Sequence, residues 1–437
     1  MKVKFYKLLV ILTMILICCF MLHSEEGVIN YQLELVYKDG TVKKETYPAI
    51  IYMDLVVLEI GGDIEELINI RGFEKIKKKI QLKITERNQL TLDTFNNNEY
   101  LSLFEFYTED SSDINNINLP NLTYLDLGLS NVKKIGKLNM PKLKEMKLRG
   151  SSLLDVEGLS SLSNLEYLSI YFPKCRKING LENLKNLKSL SLNENKISKI
   201  EGLESLLSLE ELYIENNNIE EIEGLENLKN LKYLNLKNNK IKKVSGLENL
   251  NNLRNIILEN NMIEKIENLP TSIEFITLHN NKISKIENLD KLTNLRQLVL
   301  NNNNISKIEN LENNINLKDL FLSNNKIKKI EKLDKNVNIR WLVLNDNMIE
   351  KIENLDKNIN LSTLELKNNR LRKIENINEL RKLRYLFAEG NFIEDIKDVE
   401  GMQSFVITVS ENLLSEDKTK EIMKKNKWLR LEIKKNK

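Results

Sequence analysis

Between Leu187 and Ile200 the chain reads L-x-x-L-x-L-x-x-N-x-I-x-x-I, and this phrase recurs with its asparagine at Asn195, Asn217, Asn239, Asn261, Asn281, Asn303, Asn325, Asn347, Asn369 and Asn391. Successive asparagines are 22 residues apart, except for 20 between Asn261 and Asn281. A unit this short, with one apolar stripe, cannot bury that stripe alone, so neighbouring copies must stack into a solenoid. Weaker copies place Pro173, Ser151 and Ser130 at the asparagine position, the register fades through Glu109 towards Arg87, and Asn412 closes the series.

Each slot has a physical reason. In Leu-x-Leu the period of two turns both leucines inward from a short strand and leaves the residues around them facing solvent. The later Ile and Leu positions fill the same core from the opposite arc. The asparagine is a polar residue in a buried slot, where its amide can bond backbone groups of the adjacent turn; leaving such groups unpaired would cost about 1–3 kcal/mol. The ten asparagines therefore read as a structural ladder, with no catalytic or binding role.

The pattern resembles the leucine-rich repeat superfamily, in the 22-residue class shared by bacterial internalin-like proteins and eukaryotic phosphatase-regulating proteins. The resemblance covers roughly three quarters of the chain. It implies an α/β fold, a curved solenoid of roughly fifteen repeats with a parallel β-sheet on the concave face, short helical or 3-10 segments and loops on the convex face, and small caps at both ends. The same solenoid carries adhesins, enzyme regulators, receptors and scaffolds, so function has to be argued from the surface.

The ends are read separately. Residues 1–24 have a basic start, an apolar run from Leu8 to Leu22 and a polar exit, the pattern of a cleaved export signal. The run is short for a bilayer span, which takes roughly 20 residues. A lipoprotein signal with Cys19 as the lipid-bearing residue is the rival reading, and a membrane enters only through this segment. Residues 25–78 read as a small α+β cap, with a separate binding module as the alternative: Tyr31–Tyr37 and Thr41–Tyr47 alternate around a Lys38-Asp39-Gly40 turn, which is a hairpin. The solenoid follows over 79–412. Residues 413–437 read as a C-terminal cap, a helix capped by Ser415 and then a strand from Trp428 to Ile433.

Chemistry has little to work with. The chain has 2 histidines and 3 cysteines, and of these only His279 and Cys175 lie beyond the signal. Cys175 occupies a core slot by register. Neither a Cys/His nucleophile nor a metal cluster can be assembled, and no glycine-rich phosphate loop occurs. The sequence therefore predicts no enzyme, no cofactor and no metal. Net charge is +3, and without Lys2, Lys4 and Lys7 the two signs balance at 63 each. Lys199, Lys243, Lys265, Lys285, Lys307, Lys329, Lys351 and Lys373 share one slot, but the glutamates from Glu201 to Glu375 two residues on cancel it. No nucleic acid is expected as a partner.

The outward strand positions depart from what solubility alone would select. Tyr213, Tyr233, Phe275, Phe321, Trp341, Val343, Tyr385 and Phe387 stand there, densest from Phe321 to Phe387, with Asp319, Asn345, Glu365, Lys367 and Glu389 among them. Large apolar side chains with a polar rim read as a protein-binding patch, although such residues also stiffen a sheet by cross-strand stacking. The expectation is a monomeric, exported bacterial protein that captures a protein ligand on this face, in adhesion or host interaction. A regulator or scaffold holding an enzyme such as a phosphatase, and an envelope structural protein, are the alternatives.

Overall fold

A computed structural model describes residues 28–399 and 405–434, apart from 40, 53–54, 61–66, 72–75, 77, 85–90, 110–113, 151–155, 178, 411–413 and 426–428. The expectations placed on residues 1–24, Arg87, Ser151, Asn412 and Trp428 fall outside this set. The chain divides into two compact units, Met1–Phe172 and Pro173–Lys437.

The first unit begins antiparallel and turns parallel. Strand Val28–Tyr37 pairs with Val42–Tyr52 through the turn at Asp39, whose carboxylate accepts from the Thr41 amide and hydroxyl at 2.9 Å each. The outer edge of Val28–Tyr37 takes Leu67–Arg71, and Val42–Tyr52 takes Leu55–Ile60, both antiparallel. From Leu55–Ile60 onward the pairing is parallel, through Lys79–Ile84, Leu101–Thr108, Tyr124–Leu129, Glu145–Gly150 and Tyr167–Tyr171. The described part of residues 25–78 holds four strands, and no helix is among its described residues. The 3-10 segment Leu92–Phe95 drives Phe95 against Phe104 and Phe106, with ring centroids at 4.8 and 5.7 Å, to form an aromatic core beneath this sheet.

The second unit is the regular array. Ten three-residue strands, from Ser189–Ser191 to Tyr385–Phe387, follow one another in chain order. Their pairing is parallel and in one register, Leu190 beside Leu212 beside Leu234 and so on to Leu386. Those central leucines and isoleucines are buried, each stabilising the stack by about 1.5–3 kcal/mol relative to an exposed position. Phe405–Ser410 and Leu429–Lys434 extend the parallel pairing, and helix Glu416–Lys425 lies between them in sequence. Its N-terminus is held by Ser415, whose hydroxyl accepts from the Lys418 amide at 3.2 Å. Helix is sparse: among the described residues this and two 3-10 segments, Leu92–Phe95 and Glu157–Ser161, are all there is. The arcs between strands are turns, so the fold is a parallel-sheet solenoid of stacked turns.

The asparagine ladder does what its slot demands. Asn303 donates from Nδ2 to the carbonyls of Leu278, Leu300 and Asn301 at 3.0, 3.0 and 3.1 Å, and its Oδ1 accepts from the Ile283 amide at 2.9 Å. One amide thus joins two turns. All ten members from Asn195 to Asn391 are buried, and the same contacts repeat along the column. The residue before each takes a left-handed backbone, from Glu194 (φ 60) through Asn302 (φ 54) to Gly390 (φ 71), which ends the strand after three residues. A second left-handed corner lies seven residues after each asparagine, held by Gly202, Gly224 and Gly246 and then mostly by asparagine.

Candidate protein-binding surface

The outward face of the second unit is built by the two residues flanking each buried leucine. Register sorts the eight candidate residues into groups. Tyr213 and Tyr233 pack at 5.1 Å between centroids, with the Tyr213 hydroxyl donating to Glu211 at 3.0 Å. Burial, with Glu211, Glu215 and Glu259 nearby, pushes the Tyr233 hydroxyl up to about 12. Phe275 stands apart: its register neighbours are Asn255 and Gln297, and it is 37% exposed. Phe321 and Trp341 meet edge to face at 5.1 Å. Tyr385 and Phe387 lie parallel at 6.1 Å. Thr363 and Glu365 separate these last two pairs.

Glu365 organises this end. One carboxylate oxygen accepts from the Trp341 indole N–H at 3.1 Å and the other from the Asn345 amide at 2.8 Å. The indole is fixed in orientation yet remains 40% exposed. On the far side Lys367 Nζ lies 4.8 Å from the Phe387 ring centroid and 3.7 Å from the Glu389 carboxylate. Asp319, beside Phe321 in the strand, has its carboxyl raised by burial against the opposing pull of Gln297, Arg340 and Lys318. Val343 needs a correction: expected to face a ligand, it is only 6% exposed and offers no contact surface of its own.

The other sequence expectations resolve simply. Cys175 is buried, with its thiol raised by that burial. Two exposed pairs, Lys177–Glu201 at 3.1 Å and Lys199–Glu223 at 3.8 Å, involve the charge stripes, a geometry of little energetic weight. Among the described residues no group of three or more His, Cys, Asp or Glu could hold a metal ion, and no helix is long and apolar enough to cross a membrane.

Three arrangements escape the sequence reading. In the first unit Asp126, 4% exposed, sits beneath Arg149, which pairs with its carboxylate and covers the Tyr107 ring at 5.3 Å. Burial raises the Asp126 carboxyl despite Arg149. Gly128 makes room for this, since a Cβ there would lie 2.2 Å from Tyr107 Cδ1. Counting back four residues from Ser130 is the signal that would have placed Asp126 on the sheet face. The second arrangement is a column of fully buried asparagines, Asn314, Asn336 and Asn358, in a slot that other copies give to leucine. The third is a groove of about 870 Å³ beside Arg340 and Arg384.

A family model described as leucine-rich repeats in two copies matches residues 185–227, 229–271 and 271–313, within the register set out above. The chain is a leucine-rich repeat protein. Among solved structures, this leucine-rich repeat protein is similar to an internalin from Listeria monocytogenes, at 29% identity over 69% of this chain and 85% of that one, with a TM-score of 0.56. A Leptospira interrogans leucine-rich repeat protein shares the fold at 21% identity, covering 85% of this chain and 96% of that one, TM-score 0.60. So does a chain in the Toll–Spätzle complex of Drosophila, at 16% identity over 89% and 67%, TM-score 0.56. No curated protein matches. The internalin-like resemblance thus stands, and proteins of this fold are generally non-enzymatic scaffolds for protein interactions.

Proposed function

We propose that this leucine-rich repeat protein is exported and captures a protein ligand on the outward face of its second unit, with Trp341 and Phe321 as the anchor. The observation that carries the reading is the indole of Trp341, held by Glu365, packed against Phe321 and still 40% exposed. An aromatic side chain fixed before binding loses little conformational freedom when a partner arrives, and a tryptophan within a polar rim is the usual form of an interface hot spot. The Toll–Spätzle complex shows that a solenoid of this fold can hold a protein. Export rests on residues 1–24, whose basic start and apolar core fit a signal peptide. Nothing in the reading requires catalysis.

The test is capture by wild-type protein and by a Phe321→Ala/Trp341→Ala variant, with retained proteins quantified by mass spectrometry. Truncating a hot spot costs about 2 kcal/mol or more, so the specific ligand should be retained at least tenfold less by the variant at unchanged thermal midpoint. Equal retention of every protein by both would overturn the reading. The amino terminus of the mature protein in fractionated cells tests export separately: a start near residue 25 or a lipidated Cys19 supports it, and an intact Met1 in a protease-protected fraction defeats it.

A further inference from the structure

The slot just before each strand in the second unit carries a charge in most repeats, and two stretches of this column share one backbone geometry. In the first, the Glu274 amide donates to the Arg254 carbonyl at 2.9 Å and the Arg296 amide to the Glu274 carbonyl at 2.8 Å. In the second, the Ser362 amide donates to the Arg340 carbonyl at 2.8 Å and the Arg384 amide to the Ser362 carbonyl at 2.9 Å. The side chains differ at the centre. Glu274 bridges its neighbours, Oε1 at 2.9 Å from Arg254 Nη1 and Oε2 at 3.4 Å from Arg296 Nε. Ser362 turns its hydroxyl back to the Arg340 carbonyl at 2.9 Å and brings no charge to offset the two guanidinium groups.

Where Glu274 fills the first stretch, the second opens into the groove of about 870 Å³. Arg340, Arg381, Lys382 and Arg384 line it, with Thr363 and Asn360 among the neutral residues and no carboxylate among the described lining residues. Lys382 is spent on the Asn360 side-chain oxygen at 2.7 Å. Among the described residues no ion pair holds Arg340, Arg381 or Arg384; Asp319 feels Arg340 only at longer range. Guanidinium groups that share a groove repel one another, and a bridging anion turns that repulsion into charge-assisted hydrogen bonds.

We propose that the Arg340–Ser362–Arg384 groove is a binding site for a carboxylate supplied by a ligand, which takes the place that the Glu274 side chain fills in the sister stretch. The occupant is an acidic peptide segment. The molecule's own filled copy holds a carboxylate, the further guanidinium of Arg381 suits a second acid along a peptide, and Tyr385 borders both the groove and the aromatic face. The peptide source of that carboxylate rests on the protein-ligand reading above; the anion site does not.

Fluorescence anisotropy of labelled hexaglutamate with the full chain at low ionic strength tests it, with two variants. Arg340→Gln/Arg384→Gln removes the cations, and Ser362→Glu rebuilds the internal bridge and occupies the groove from within. Each should weaken hexaglutamate binding at least tenfold, Ser362→Glu without lowering the thermal midpoint, while Phe321→Ala/Trp341→Ala changes it less than twofold. Failure of hexaglutamate to saturate the wild type, or equal binding by Ser362→Glu, overturns the proposal and leaves the aromatic anchor untouched. Displacement of hexaglutamate by inorganic phosphate at lower concentration than by acetate overturns the peptide assignment in favour of a phosphate ligand.

Discussion

The two units solve the same problem, ending a parallel strand inside a stacked turn, in different ways. In the regular array of the second unit, from Ser189 to Phe387, a strand of the shared sheet lasts three residues, a left-handed residue turns the chain, and a buried asparagine takes over the hydrogen bonding. In the first unit the slot holds Ser130 or Glu109, only Asn97 and Asn116 among its described non-glycine residues have positive φ, and strands run for six or eight residues, as in Tyr124–Leu129 and Leu101–Thr108. Where no asparagine relays the backbone bonds, the strand ladder itself continues to do so. The consequence reaches function. A longer strand displays more side chains on its outer face, so Glu145, Lys147 and Arg149 stand in three rows where most turns of the second unit have two.

The largest effect should come from removing a relay. Asn303→Ala deletes three donated bonds and the one acceptor for the Ile283 amide, all in a buried site. Replacing a hydrogen-bonded buried amide leaves several backbone groups without partners, and a loss of about 3 kcal/mol in urea unfolding is expected. The exposed Ser130 in the equivalent slot of the first unit should give less than about 0.5 kcal/mol when changed to Ala. If the two substitutions cost the same, the asparagine is not what distinguishes the units.

A smaller effect, of opposite sign, tests whether every polar residue in the array earns its place. Asn336 is fully buried and donates to the Leu311 and Asn314 carbonyls at 2.9 and 3.0 Å, but its buried Oδ1 has no hydrogen-bond partner among the described residues. Leu228, Leu250 and Leu292 fill this slot in other copies. Asn336→Leu is expected to raise stability by about 1 kcal/mol, because a desolvated oxygen is exchanged for apolar packing. A destabilised variant would show that the column Asn314, Asn336 and Asn358 holds the turns together as the main ladder does.

That column also marks where the sequence stops being readable. The repeat register, the Asn195–Asn391 ladder and the outward aromatics were legible because a strict period ties each to the buried leucines. Asn314-Ile315, Asn336-Val337 and Asn358-Ile359 defeat hydropathy, which would bury the apolar member; the fold buries the asparagines and leaves Ile315 and Ile359 52% and 51% exposed. Val343 was misread because alternation gives direction and not the cover supplied by neighbouring turns. The Asp126 site lies where the register is weakest. The Arg340–Arg384 groove becomes visible only beside the bridge that Glu274 makes, which is a contact between side chains and leaves no trace in spacing.

The smallest effect concerns the second left-handed corner. Nearly every copy places glycine or asparagine there, and the asparagines donate to a carbonyl of the preceding turn, Asn310 to Ile286 at 2.7 Å and Asn354 to Ile330 at 2.8 Å. Lys332 occupies the same corner at φ 59. A non-glycine residue in that region costs about 1–2 kcal/mol, less for asparagine, whose amide also bonds locally. Lys332→Asn should therefore stabilise the protein by about 0.5–1 kcal/mol, its new amide reaching towards the Ile308 carbonyl, and Asn310→Lys should lose a similar amount. Because Lys332 is at the surface and has no ion pair or side-chain hydrogen bond among the described residues, thermal midpoints that fall for Lys332→Asn would mean that the corner's preference is set by something other than backbone conformation, and the contrast between the corner-built second unit and the strand-built first would lose its physical basis.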